Sequence, residues 1–164
     1  MNGLGSYMTQ GLRGLEAKVP PPLMFMLVGG AMWGISQVLP GGLLSGSWRI
    51  GMALGIGAIG LGIAGSGIAA FRRAKTTISP TRPDTASRIV SRGIYGYTRN
   101  PIYVGLSALL LGWSAWLNVP WVLLGPAFFI LYTTRFQIIP EERVLTVKFG
   151  EEYIDYRNRV RRWI

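Results

Sequence analysis

Arg99-Asn100-Pro101-Ile102-Tyr103-Val104-Gly105 leads from a strongly basic segment straight into an apolar one. Asparagine is a good N-cap and proline a good first helical residue, so the stretch reads as a polar loop entering a helix. A second polar cluster, Pro140-Glu141-Glu142-Arg143, stands just beyond the end of the apolar sequence that follows. Two uncharged apolar runs, 101–117 and 119–134, lie between the clusters, and two more, 21–39 and 50–71, precede them. Arginine, asparagine, tyrosine and paired carboxylates are costly at the edge of lipid, so these two clusters are the candidate site.

Composition agrees with a membrane setting. Of 164 residues, 49% are hydrophobic and only 15% charged, with a mean hydropathy of +0.33, too apolar for an ordinary soluble domain. The runs 21–39 and 50–71 are long enough to cross a bilayer as helices. The runs 101–117 and 119–134 are shorter and read as a tight helical hairpin whose ends are finished by tyrosine, tryptophan and arginine. The expectation is an all-α integral membrane protein with about four transmembrane helices and a C-terminal cytoplasmic or interfacial helix. No small-residue cleavage site follows the first run, which therefore reads as a retained span rather than a secretory signal.

The net charge is +10. Because the basic residues flank apolar spans, anionic lipid head groups are the expected partner and nucleic acid is not. Basic residues crowd the 72–100 segment and the C-terminal tail and occur in the N-terminus as Arg13 and Lys18, whereas the turns 40–48 and 118–120 carry no charge. The positive-inside rule then places both termini and both polar clusters on the cytoplasmic side. Cysteine and histidine are absent, which excludes disulfides, thiol nucleophiles and the usual base near neutral pH, and no metal site is expected.

Residues 1–18 place Leu4, Met8, Leu12 and Leu15 at helical spacing, as in an interfacial segment. The second run contains GxGxxG at 55–60 and 60–65. A dinucleotide fingerprint needs a strand before it and an acidic residue after it, so these glycines read as packing positions, with Gly51 and Gly55 admitting a neighbouring helix. Residues 141–160 read as one helix with Pro140 at its first position. Val144, Leu145, Phe149, Tyr153, Tyr156 and Val160 form its apolar face, opposite Lys148, Glu151, Glu152, Asp155 and Arg159.

The chemistry available is specific. Glu141 and Glu142 accept hydrogen bonds from hydroxyl and ammonium groups, Arg99 and Arg159 clamp carboxylate or phosphate, and Tyr97, Tyr103, Tyr153 and Tyr156 offer aromatic faces and hydroxyls. A ligand with an amine, a carboxylate, a ribose and an onium centre uses all of these, and S-adenosylmethionine is such a ligand. Each element also has a plainer reading. The acidic pair suits a helix start, the aromatics suit interface anchoring, and the basic loop suits topology and lipid contact.

Residues 93–105, Gly-Ile-Tyr-Gly-Tyr-Thr-Arg-Asn-Pro-Ile-Tyr-Val-Gly, followed by an apolar hairpin and the 140–160 segment, resemble the isoprenylcysteine carboxyl methyltransferase family. The likeness is greatest to its small bacterial members, and the related phospholipid N-methyltransferases share the plan. It covers about 72–164. The resemblance implies an integral membrane enzyme of the bacterial inner membrane that uses S-adenosylmethionine and methylates a lipophilic acceptor. It implies a catalytic core over 72–164, after an N-terminal segment (1–18) and two transmembrane helices (19–71), with the C-terminal helix covering the cofactor pocket. By position, Tyr97, Arg99, Asn100, Tyr103 and Gly105 form one wall of that pocket. Glu141 and Glu142 belong to the other, with Tyr153 and Tyr156 above. Arg99, Asn100, Glu142 and Arg159 are the candidate catalytic residues.

Two features depart from the family. Many members have histidine where this chain has Asn100, and asparagine cannot act as a base near pH 7. The ending Arg161-Arg162-Trp163 also differs from the valine-proline ending of the eukaryotic enzymes. A carboxylate acceptor needs no general base, which suits this chain. Phospholipid or amine N-methylation is the alternative within the same chemistry. A non-catalytic protein that binds anionic lipid or a partner through its basic face is the alternative outside it. A reductase built on a related membrane core lacks a persuasive nicotinamide site here. Oligomeric state is left open.

Overall fold

The computed structural model describes residues 19–42, 44, 46–74 and 88–164. The expected N-terminal interfacial helix and most of the basic loop therefore lie outside the described residues. Among those described, the chain is helical, with one isolated parallel bridge between Thr98 and Arg161. The helices are α1 (Pro21–Val38), α2 (Gly46–Ala74), α3 (Pro101–Leu117), α4 (Leu124–Thr133), α5 (Ile139–Phe149) and α6 (Glu151–Arg159). A 3-10 turn, Pro120–Leu123, leads into α4, and a π turn, Thr134–Ile138, joins α4 to α5. Proline opens α1, α3 and the 3-10 turn, where its missing N–H costs no helical bond.

Two helices are long and apolar enough to cross a bilayer: α2 and the continuous stretch Pro120–Phe149. Helix α3 is apolar but shorter.

Three expectations change. First, the helix that Pro140 opens is not separate from the last apolar run: Pro140 lies in the first turn of α5, but α4 continues through the π turn into it. Proline within a helix lacks an N–H and crowds the carbonyl four residues back. The π turn resolves this by widening the backbone and shifting the hydrogen-bond register immediately before Pro140. Second, 141–160 is not one helix. Gly150, at φ +55° and ψ −129°, divides it in a backbone region that side chains other than glycine's rarely enter.

The third change concerns the glycines of α2. Gly51 and Gly55 face open space. The close approach is made one face round the helix, where a Cβ on Gly60 would sit 2.8 Å from the Gly105 carbonyl oxygen and 3.1 Å from the Ala108 Cβ. On α3, a Cβ on Gly105 would come within 2.6 Å of both the Ala64 Cβ and the Gly60 carbonyl oxygen. Small residues on both helices let the backbones touch. On the other side of α3, Val28, Met32, Leu110, Val119, Val122 and Phe129 form the apolar core between α1, α3 and α4.

The two ends of the helix bundle differ in chemistry. At one, Asn118 adopts the left-handed conformation (φ 59°) that ends α3. Its side chain accepts from the Leu44 amide at 2.8 Å and donates to the Leu44 carbonyl at 3.0 Å. Its carbonyl accepts from the Gly42 amide at 2.9 Å. The two uncharged turns are thus tied together. At the opposite end, Gln137 donates to the Val19 carbonyl at 2.6 Å, just before the prolines that open α1. Arg99 and Glu142 also meet at this opposite end.

Candidate functional site

Four pieces of chain converge at the polar end: the loop entering α3, the start of α5, helix α6, and a C-terminal strap of residues 160–163. The loop is shaped by Gly93 (φ +66°) and the 3-10 turn Gly93–Gly96. Within that turn Tyr95 is buried, with its ring edge-on to Phe71 of α2 at 5.2 Å. Helix α6 closes over this loop, and the Tyr156 hydroxyl donates to the Tyr95 carbonyl at 2.8 Å. Tyr153 and Tyr156 are both buried, their rings 6.1 Å apart.

Glu142 is the hub. Its Oε1 lies 2.6 Å from Arg99 Nη2, and it also accepts from Arg162 Nε at 3.1 Å. Its Oε2 accepts from Arg162 Nη2 at 2.7 Å. Arg162 thus makes a bidentate pair from one side and Arg99 a single strong bond from another. Arg99 is further fixed by donating through Nη1 to the carbonyls of Arg157 and Val160. Its Nε is buried with no hydrogen-bond partner. Removing both arginines would leave the buried Glu142 charge uncompensated, at a cost of about 3–5 kcal/mol.

Asn100 occupies the cap position of α3, yet its side chain does not bond the helix. It donates instead to the Arg162 carbonyl at 3.0 Å, joined there by the Thr98 hydroxyl at 3.3 Å. The Arg99 amide donates to the Arg161 carbonyl at 2.9 Å. Next along, the Trp163 indole donates to the Thr134 hydroxyl at 3.1 Å, on the π turn. The strap is therefore stitched to both the loop and the long helix.

Of the residues singled out from sequence, Arg99, Asn100 and Glu142 come together, with Tyr153 and Tyr156 overhead. Tyr103 is buried near the loop. Glu141 is half-buried and its carboxylate acts electrostatically on Tyr95. Tyr97 is 79% exposed. Arg159 is exposed and bonds the Asp155 carbonyl of its own helix at 3.3 Å. Gly105 turns its open side to α2.

Sequence reasoning passed over Arg162, Thr98, Tyr95 and Trp163. The available signal was the Arg162-Trp163 pair, charged and aromatic, placed just after the helical pattern stops.

Electrostatics follow from this packing. Burial, and after it the charge on Glu141 and the neighbouring Tyr156, pushes the Tyr95 hydroxyl well above its ordinary range. Burial does the same to Tyr153 and Tyr156. All three are hydrogen-bond donors near neutral pH and not bases. The hydrogen bond to Glu142 raises the pKa of Arg162. The site thus combines anchored guanidinium groups, a carboxylate pair, phenol donors and an unpaired buried N–H, a donor set that fits a zwitterionic ligand with hydroxyl groups. It lies where apolar helices give way to charge.

Comparison with known proteins bears on this arrangement. The model of the family described as phospholipid methyltransferase matches residues 48–152. That range runs from the start of α2 into α6 and includes Arg99, Asn100 and Glu142. An uncharacterized protein of Haemophilus influenzae is 44% identical over 63 residues, which is 38% of this chain and 100% of that protein. No solved structure matches.

Proposed function

Because this chain belongs to the phospholipid methyltransferase family, we propose that it is a membrane methyltransferase that uses S-adenosylmethionine and methylates a small lipophilic acceptor. The observation that carries the reading is the ion cluster of Arg99, Glu142 and Arg162, held against Asn100 where the apolar helices end. Clustered charge at that position is costly to maintain, which supports a binding role for it.

The residues present fit the methyl donor. Glu141 and Glu142 suit its ammonium and ribose hydroxyls, Arg99 its carboxylate, and the faces of Tyr153 and Tyr156 its cationic centre. When bound, S-adenosylmethionine supplies an electrophilic methyl group on a sulfonium. The protein's own part is alignment and exclusion of water, because methyl transfer is an in-line displacement. Helix α6 serves that exclusion, covering the loop through the bond from Tyr156 to Tyr95.

A carboxylate is the simpler acceptor. It attacks without losing a proton, and the chain holds no histidine to take one. The isoprenylcysteine-like resemblance of 93–105 and 140–160 supports the same choice. Amine methylation is the second reading, favoured by the family's phospholipid designation and by the half-buried carboxylate of Glu141, a group able to receive an ammonium proton.

In the reading advanced here the helices make four passes of the bacterial inner membrane, with both termini cytoplasmic. Support comes from the meeting of the two uncharged turns at one end and of the charged clusters at the other.

The test is calorimetric titration of S-adenosylmethionine into detergent-purified protein, then turnover on prenylated-cysteine analogues and on ethanolamine lipids. Micromolar binding that vanishes in Glu142→Gln is the expected result. Absence of binding to folded protein, with salt-sensitive adhesion to anionic vesicles instead, would replace the enzyme with a lipid-binding protein.

A further inference from the structure

Glu142 is held by two arginines that are not equivalent. The Arg99 side chain is 8% exposed and is fixed by the Arg157 and Val160 carbonyls as well as by Glu142. The Arg162 side chain is 38% exposed, and both of its hydrogen bonds go to Glu142. Arg99 cannot leave without giving up two backbone carbonyls as well as Glu142, whereas the more exposed Arg162 side chain has only Glu142 to give up.

The backbone beneath Arg162 does not need to move for that to happen. Its carbonyl is held by Asn100 and Thr98, the preceding carbonyl by the Arg99 amide, and the following side chain by Thr134. The strap's backbone is anchored on both sides of a side chain whose two hydrogen bonds both go to Glu142. Glu142 itself is only 7% exposed. With Arg99 fixed on one side, a cation reaches the carboxylate by taking the place of the Arg162 guanidinium.

We propose that Arg162 is a gate on a cation subsite: its guanidinium pairs with the Glu142 carboxylate and yields that place to the ammonium group of an incoming ligand. Asn100 is then a positioning residue, holding the strap in place while the gate opens. Arg162 lies beyond the residues matched by the family model, 48–152. The inference rests on the methyltransferase reading, with the α-ammonium of the methyl donor as the occupant.

The sign of one measurement decides it. A built-in competitor weakens ligand binding, so its removal strengthens it. S-adenosylmethionine titrated into Arg162→Ala should bind about tenfold more tightly than into wild type, because the two bonds from Arg162 to Glu142 no longer have to be broken on binding. Arg162→Gln, which keeps a neutral donor, should shift in the same direction by less. Thermal unfolding of each variant checks that it is folded. Equal or weaker binding to a folded Arg162→Ala, with wild type binding normally, overturns the gate and leaves the methyltransferase reading intact. If neither variant folds, Arg162 is a structural brace and the gate falls. No binding to wild type or to either variant removes the enzyme reading and the gate together.

Discussion

Arg99 Nη2 lies 2.6 Å from Glu142 Oε1 across 43 residues of sequence, joining the loop before α3 to the first turn of α5. This bond brings the two polar clusters of the chain into one site. Arg99→Ala should destabilise the protein by about 1.5–3 kcal/mol, because it removes one charged hydrogen bond from a buried carboxylate that keeps its pair with Arg162. Arg99→Lys should recover only part of that, since an ammonium cannot reach Glu142 and two carbonyls from one rigid fork. Thermal unfolding in detergent checks both.

Gly105→Leu should separate α2 from α3. Even a Cβ at this position would sit 2.6 Å from Ala64 and from the Gly60 carbonyl oxygen, and overpacking of this kind costs about 1–3 kcal/mol or more. Gly62→Leu, with nothing within 4 Å, should change stability little. Equal effects at the two positions, measured by unfolding in the same detergent, would sink the assigned helix contact.

Asn118→Ala should cost about 1–3 kcal/mol through loss of both bonds to Leu44 and of the residue best suited to a positive φ. Since Asn118 lies at the end of the bundle away from Glu142, the affinity for S-adenosylmethionine should remain that of wild type. A fall in affinity without a fall in unfolding temperature would contradict the assignment.

Tyr156→Phe removes the hydroxyl that donates to the Tyr95 carbonyl and leaves a buried acceptor unpaired, at about 1–3 kcal/mol. The effect should be local. Hydrogen exchange in residues 93–98 should quicken, while α2 and α3 remain protected.

Several parts of this arrangement were legible before folding. The apolar runs, the proline-opened α1 and α3, the glycine-rich α2 and the two polar clusters all rest on local composition and spacing. The helix ends were less legible. Pro140 reads locally as a start, and only the π turn before it allows the helix to pass through. Gly51 and Gly60 are equally small, and which of them meets α3 depends on how α2 is rotated about its axis.

By itself, the sequence determined that the chain is helical and apolar, that its charge gathers at the ends of its helices, and that Arg99, Asn100 and Glu142 were worth naming. Those properties come from hydrophobic patterning and the cost of charge beside lipid, which act residue by residue. Tertiary structure decided that Glu142 is shared between Arg99 and Arg162, that Asn100 holds the strap instead of capping its helix, and that Arg159 and Tyr97 stay outside the cluster. A carboxylate takes whichever cations the fold delivers within about 3 Å, and that delivery depends on contacts between segments far apart in the chain, which no local pattern encodes.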